Sequence, residues 1–135
     1  MPTYRVLKSI AFCYGHRLLN YRGPCCHVHG HNGRADIVVA ADALNTLGMV
    51  HDFREIKNVV KTWIDAHLDH RMILQEGDPL IALLQAQQEP VYIMDRPPTA
   101  ENLAREICVV ARNNGLPVCE VRLWESDASC AVYAE

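Results

Sequence analysis

Residues 33–42, GRADIVVAAD, decide how the rest of the chain is organised. Ala35, Ile37, Val39 and Ala41 fall on one side, and Arg34, Asp36, Val38 and Asp42 on the other. That period of two predicts a strand with one face on a core. Upstream, YRVLKSIAFCYGH (4–16) is extended in character and rich in apolar and aromatic residues, which predicts a first strand. Between the two lies a predicted loop of Gly, Pro, Asn and His that contains CCHVHGH, residues 25–31.

Downstream the period changes. Asp52 and Glu55 have the spacing of a capping box, followed by Phe53, Ile56, Val60, Trp63, Ile64 and Leu68 as an apolar stripe at helical spacing. DPLIALLQAQQ (78–88) predicts a short helix, with Asp at the cap and Pro at the first helical position. PVYIMD (90–95) reads as an extra strand. PPTAENLAREICVVARNNG (97–115) predicts a second long helix with Leu103, Ile107 and Val110 inward and Gly115 as its stop. VCEVRLWE (118–125) and SCAVYA (129–134) predict a closing hairpin, with Cys119, Val121, Leu123 and Glu125 on one face. Strands, then helices, then strands is the pattern of an α+β domain with helices on one face of an antiparallel sheet.

At 135 residues, half of them apolar, residues 1–135 are expected to form one domain with an ordinary core. The formal net charge of −3, from 13 basic and 16 acidic residues without long like-charge runs, argues against a nucleic-acid partner. No apolar leader or long apolar span is seen, so no membrane is expected. The six cysteines are then read as free thiols, and the expected location is the cytoplasm. Cys13, Cys108 and Cys119 lie in apolar segments and read as small core side chains, whereas Cys25 and Cys26 lie in the polar loop.

Three groups of residues carry possible chemistry. His29 and His31 are two apart, so in an extended segment both imidazoles face one side, and Gly30 leaves room between them. His16 ends the first predicted strand. If the two strands pair, His16, His29 and His31 converge, and three protein ligands with one open position describe a catalytic zinc site. A solvent-exposed strand end remains the competing reading of His16. A structural zinc site built from Cys25 or Cys26 with His29 and His31 remains open as well. Asp69 and His70 could form a carboxylate–imidazole proton relay, or simply a charged helix end. Glu125 follows apolar residues on an inward face, where a carboxylate needs a partner rich in N–H donors unless the strand stops at Trp124.

Six segments in order resemble the 6-pyruvoyltetrahydropterin synthase / 6-carboxytetrahydropterin synthase family. They are FCYGHRL (12–18), CCHVHGHN (25–32), VHDFREIK (50–57), LDHRMIL (68–74), PTAENLA (98–104) and LWES (123–126). The resemblance implies zinc held by His16, His29 and His31, Cys25 as catalytic base with Asp69 and His70 as its relay, and Glu125 anchoring a pterin ring with Thr99 nearby. Cys25, not Cys26, has the three intervening residues before His29 that the motif requires, and His27 is left without a role. The implied architecture is the tunnelling fold: a four-stranded antiparallel sheet with two main helices on one face. Trimers close into a barrel, and pairs of trimers into a hexamer, with active sites between subunits. Residues 75–97 are longer than in compact members and are expected to add a helix and strand near the site.

The short Cys25-to-His29 spacing resembles the carboxy-forming branch, which serves the pathway to queuosine and other 7-deazapurines. The implied substrate is 7,8-dihydroneopterin triphosphate, converted to 6-carboxy-5,6,7,8-tetrahydropterin with loss of acetaldehyde and triphosphate. Arg17, Arg22 and Arg71 are candidate cations for the phosphates. Two alternatives remain: a pyruvoyl-forming triphosphate lyase, and a zinc-stabilised binding module without turnover.

Overall fold

A computed structural model describes residues 3–135. Strand β1 (Tyr4–His16) pairs antiparallel with β2 (His29–Ala41) over their full lengths, from Tyr4 opposite Ala41 to His16 opposite His29. β2 therefore begins four residues before the segment whose alternation marks it, and the His-Gly-His pair is strand rather than loop. Glycine, which reads as a loop signal, is needed here for close approach: a Cβ on Gly30 would stand 3.1 Å from the Tyr14 carbonyl oxygen, and one on Gly15 2.4 Å from Met72 Sδ.

Helix α1 (Phe53–His67) follows, then β3 (Arg71–Gln75), α2 (Leu80–Ala86), β4 (Val91–Met94), α3 (Ala100–Asn113), β5 (Val118–Ser126) and β6 (Ser129–Ala134). The expected four antiparallel strands β1, β2, β5 and β6 are present, but the sheet has six, ordered β4-β3-β1-β2-β5-β6. β3 runs parallel to the end of β1, with Tyr14 to His16 beside Arg71 to Ile73, and β4 runs parallel to β3. The expected helix and strand within residues 75–97 are α2 and β4. β3 went unread because five residues, two of them fully buried, show too little alternation to mark a strand.

α1 packs beneath β1, and α3 beneath β5 and β6. Ile56, Val60, Ile64 and Leu68 from the first stripe meet Ile10, Phe12, Ala35, Ile37 and Val39 from the sheet, joined by Leu103, Ile107 and Cys108 of α3. Each such side chain removed from water contributes about 1.5–3 kcal/mol before entropy is counted. Phe53, placed in the stripe by periodicity, is about half exposed. Both long helices start on side-chain caps: Asp52 accepts from the Arg54 amide at 2.8 Å, and Thr99 from the Asn102 amide at 3.1 Å. Glu55 does not complete a capping box; its carboxylate lies 2.7 Å from the His51 imidazole.

A bulge corrects the reading of β5. Val118 pairs with Val39 and Glu120 with Val38, so Val118 rather than Cys119 shares the core face with Val121 and Leu123. On the opposite face the buried Asp36 carboxylate accepts from Ser9 Oγ (2.6 Å), Arg34 Nε (3.1 Å) and Trp124 Nε1 (2.9 Å). Those donors offset the cost of burying the charge and tie together β1, β2 and β5.

Candidate metal centre and relay

Residues directly opposite in an antiparallel pair share a face, as do residues two apart. The β1–β2 register sets His16 against His29 and Tyr14 against His31, so all three imidazoles stand together at one end of the sheet. Their ring centroids are 4.5 Å apart for His16–His29 and 5.1 Å for the other two pairs. One nitrogen from each lies within 4.8 Å of the others. Around a tetrahedral zinc, such donors stand about 3.3 Å apart, so small ring rotations close the set.

The outer contacts fix which nitrogen is free. His16 Nδ1 is 2.7 Å from the Pro98 carbonyl oxygen, and His29 Nδ1 is 2.7 Å from that of His27. A carbonyl only accepts, so each Nδ1 carries the proton and each Nε2 presents a lone pair, the arrangement that orients zinc-binding histidines. Burial, with smaller contributions from the neighbouring imidazoles, pushes the His16 pKa below its ordinary value and favours the neutral ligand form. The residues therefore fit a divalent cation of the zinc class. Neither Cys25 nor Cys26 joins the cluster, which disfavours the four-ligand structural site.

Glu125 is brought to this centre. Its Oε2 lies 2.8 Å from His31 Nε2 and 3.5 Å from His16 Nε2. The strand thus continues past Trp124, and the carboxylate faces inward as its position on β5 implies. Tyr14 lies against His16 and His31, at ring separations of 5.3 and 5.6 Å. Its buried hydroxyl has no hydrogen-bond partner, and burial, helped by the Glu125 charge, raises the phenol pKa strongly.

Asp69 and His70 form the expected pair, His70 Nδ1 to Asp69 Oδ2 at 2.9 Å. Burial raises the Asp69 carboxyl, but hydrogen bonds from the Cys13 amide and the His70 imidazole outweigh it and hold the group below the usual range. Within one chain the thiol beside this pair is Cys13, expected from its apolar setting to be a core residue and found half-buried at the cluster. Cys25 sits in a single 3-10 turn, Pro24–Cys26, its carbonyl accepting from the Leu18 amide at 2.8 Å. Thr99 uses its hydroxyl as the α3 cap, one residue after the carbonyl that holds His16. His27 stays outside the imidazole cluster as expected, although its carbonyl orients His29.

A cavity of about 770 Å³ opens beside these groups, lined among others by Cys13, His29, His31, His70, Arg71 and Met72. His16 and Glu125 do not line it. Leu84, Glu89 and Pro90 do, so the α2–β4 segment forms part of its wall. The three arginines now separate. Arg17 is committed to the buried Asp78 carboxylate, Arg22 is exposed, and Arg71 lines the cavity with a buried Nε that has no partner. Sequence reading gave Cys13 and Tyr14 no role at the site, and gave Asp78 only that of a helix cap, not of the partner of Arg17.

The family model for 6-pyruvoyl tetrahydropterin synthase matches residues 5–135. The 6-carboxy-5,6,7,8-tetrahydropterin synthase of Rickettsia typhi is 40% identical over 99 residues, covering 72% of each chain. That of Aquifex aeolicus is 30% identical over 160 residues, covering 98% of each. Among solved structures, an uncharacterized protein of Wolinella succinogenes superimposes with a TM-score of 0.84 at 25% identity, over 98% of each chain. The 6-pyruvoyl tetrahydropterin synthase of Caenorhabditis elegans shares the fold, with a TM-score of 0.74 at 21% identity over 100% of this chain and 97% of that one. Among the described residues no helix is long and apolar enough to cross a membrane. On this match to sequence and fold, the chain belongs to the 6-pyruvoyl tetrahydropterin synthase family.

Proposed function

We propose that the protein is a zinc-dependent lyase that converts 7,8-dihydroneopterin triphosphate and one water to 6-carboxy-5,6,7,8-tetrahydropterin, releasing acetaldehyde and triphosphate. The observation that carries this reading is the convergence of three imidazoles, one nitrogen of each within 4.8 Å of the others, with Nδ1 of His16 and of His29 held by carbonyls. The carboxy-forming product is favoured by the Cys25-to-His29 spacing and by relatives that bear that name.

His16, His29 and His31 hold the ion, which supplies Lewis-acid stabilisation of the negative charge that develops on substrate oxygens. Glu125 accepts from the pterin N–H groups. Its contact with His31 Nε2 needs a proton on that nitrogen, and an imidazole that gives Nε2 to a cation has none. With His31 Nε2 given to a cation, the Glu125 carboxylate would be left free to accept from the substrate. Thr99, the residue after the Pro98 carbonyl that holds His16, is assigned to border the pterin ring. Cys25 removes a substrate proton, and Asp69 orients the His70 imidazole that relays it. Cys25 lies outside the Asp69–His70 cluster of its own chain, so this assignment has Cys25 and the relay meet across a subunit interface in a trimer or hexamer. Arg71, which lines the cavity, offers its guanidinium to the phosphates.

Metal content and turnover measured together test the assignment. His31→Ala is expected to lose zinc and activity in parallel; full zinc occupancy in that variant removes the three-histidine centre.

A further inference from the structure

The geometry points to a second cation site, built from Cys13, Asp69 and His70 and separate from the three-histidine centre. One ligand atom from each of these side chains lies within 4.8 Å of the other two. The set is a sulfur, an imidazole nitrogen and a carboxylate oxygen, a combination suited to zinc and similar borderline ions rather than to calcium or magnesium.

Two further observations show that the three groups are held together rather than merely near. The Cys13 amide donates to Asp69 Oδ1 at 3.0 Å, and the His70 amide donates to the Cys13 carbonyl at 2.7 Å, so the turn after α1 is stitched to β1 on both sides. His70 also adopts a left-handed backbone, φ 59°, in which a non-glycine residue is strained. In that conformation the imidazole Nδ1 lies 2.9 Å from Asp69 Oδ2. The position follows the end of a helix and does not itself require histidine.

Around a tetrahedral ion the donors stand about 3.3–3.6 Å apart. The present spacing closes to that by a small rotation of the His70 side chain, which is 79% exposed within one chain. Binding converts the Cys13 thiol to thiolate and releases its proton to solvent. Cys13 and His70 both line the cavity, which leaves room for a further ligand to the ion. The ordering of an exposed imidazole makes this site weaker than the three-histidine centre, and it fills second. An ion there occupies Asp69 and His70, so excess metal would withdraw them from the proposed relay. The site itself rests on the cluster alone and does not depend on the reaction.

Cobalt(II) titration of the metal-free full-length protein tests it, because only a thiolate ligand gives the near-ultraviolet sulfur-to-cobalt charge-transfer band. The first equivalent, at the three histidines, is expected to give no such band, and the second to give it. Cys13→Ser should abolish the band while the first equivalent still binds. Asp69→Asn and His70→Ala should weaken it severalfold, which decides the matter by a separate route should Cys13→Ser fail to fold. Cys25→Ala should leave the band unchanged. Absence of the band in the parent, its survival in Cys13→Ser, or its loss in Cys25→Ala would each overturn the assignment.

Discussion

Asp78→Ala should destabilise the protein far more than a surface substitution would. The Asp78 side chain is fully buried, and both of its oxygens are bonded to Arg17, one through Nε at 2.9 Å. It also accepts from the Leu80 amide at 2.9 Å, capping α2. Removing one partner of a buried pair costs about 3–5 kcal/mol. Arg17 retains 24% side-chain exposure, so part of its charge can be rehydrated, which places the pair near the lower bound. Loss of the cap adds about 0.5–1 kcal/mol. The sum, about 3–4 kcal/mol, is a large share of a typical domain stability of about 5–15 kcal/mol. In urea, at a slope of about 2 kcal/mol/M, the midpoint should fall by about 1.5–2 M. Arg17 also holds the Asp78 pKa below its ordinary value. A depressed folded-state pKa contributes stability above the unfolded value, about 3.9 for Asp, and the contribution disappears as pH falls through the folded value. The gap between parent and variant should therefore be full at neutral pH and narrow in acid below about pH 4. A variant within 1 kcal/mol of the parent at pH 7 would refute this reasoning.

Glu125→Gln should keep zinc but lose pterin affinity, since the amide offers one acceptor and a misplaced donor; the unmatched groups cost about 1–3 kcal/mol. Pterin binding within twofold of the parent would take Glu125 out of the site. Cys25→Ala should retain one zinc and bind substrate while turnover falls by ~10²–10⁴-fold, and Cys26→Ala should stay within severalfold. The reverse pattern would mean that the adjacent cysteines exchange roles. Arg71→Ala should raise the KM for the triphosphate substrate by about 10–100-fold, the worth of a charge-assisted bond of about 1.5–3 kcal/mol, with little effect on metal content. An unchanged KM would leave the phosphates to other cations.

What could be read from the sequence was local or nearly so. The alternation of residues 35–39, the α1 stripe and the caps Asp52 and Thr99 depend on neighbours within a turn or a few strand residues. The convergence of His16, His29 and His31 needed one long-range assumption, that β1 pairs with β2, and the register bears it out. The misses came from contacts that no local period encodes. Gly30 resembled a loop residue because the backbone it lies against is distant in sequence. Cys119 left its expected face because a bulge changes the count of residues along β5. Arg17 was expected to be free because Asp78 lies 61 residues away. Cys13 resembled a core residue because Asp69, its partner, is 56 residues away.

Incubating the zinc-loaded protein with 7,8-dihydroneopterin triphosphate and identifying the product by mass tests the proposed reaction most directly. The expected result is 6-carboxy-5,6,7,8-tetrahydropterin, with acetaldehyde released alongside triphosphate. A product that keeps the three-carbon side chain would assign the pyruvoyl-forming reaction instead, and recovery of unchanged substrate would contradict a lyase altogether.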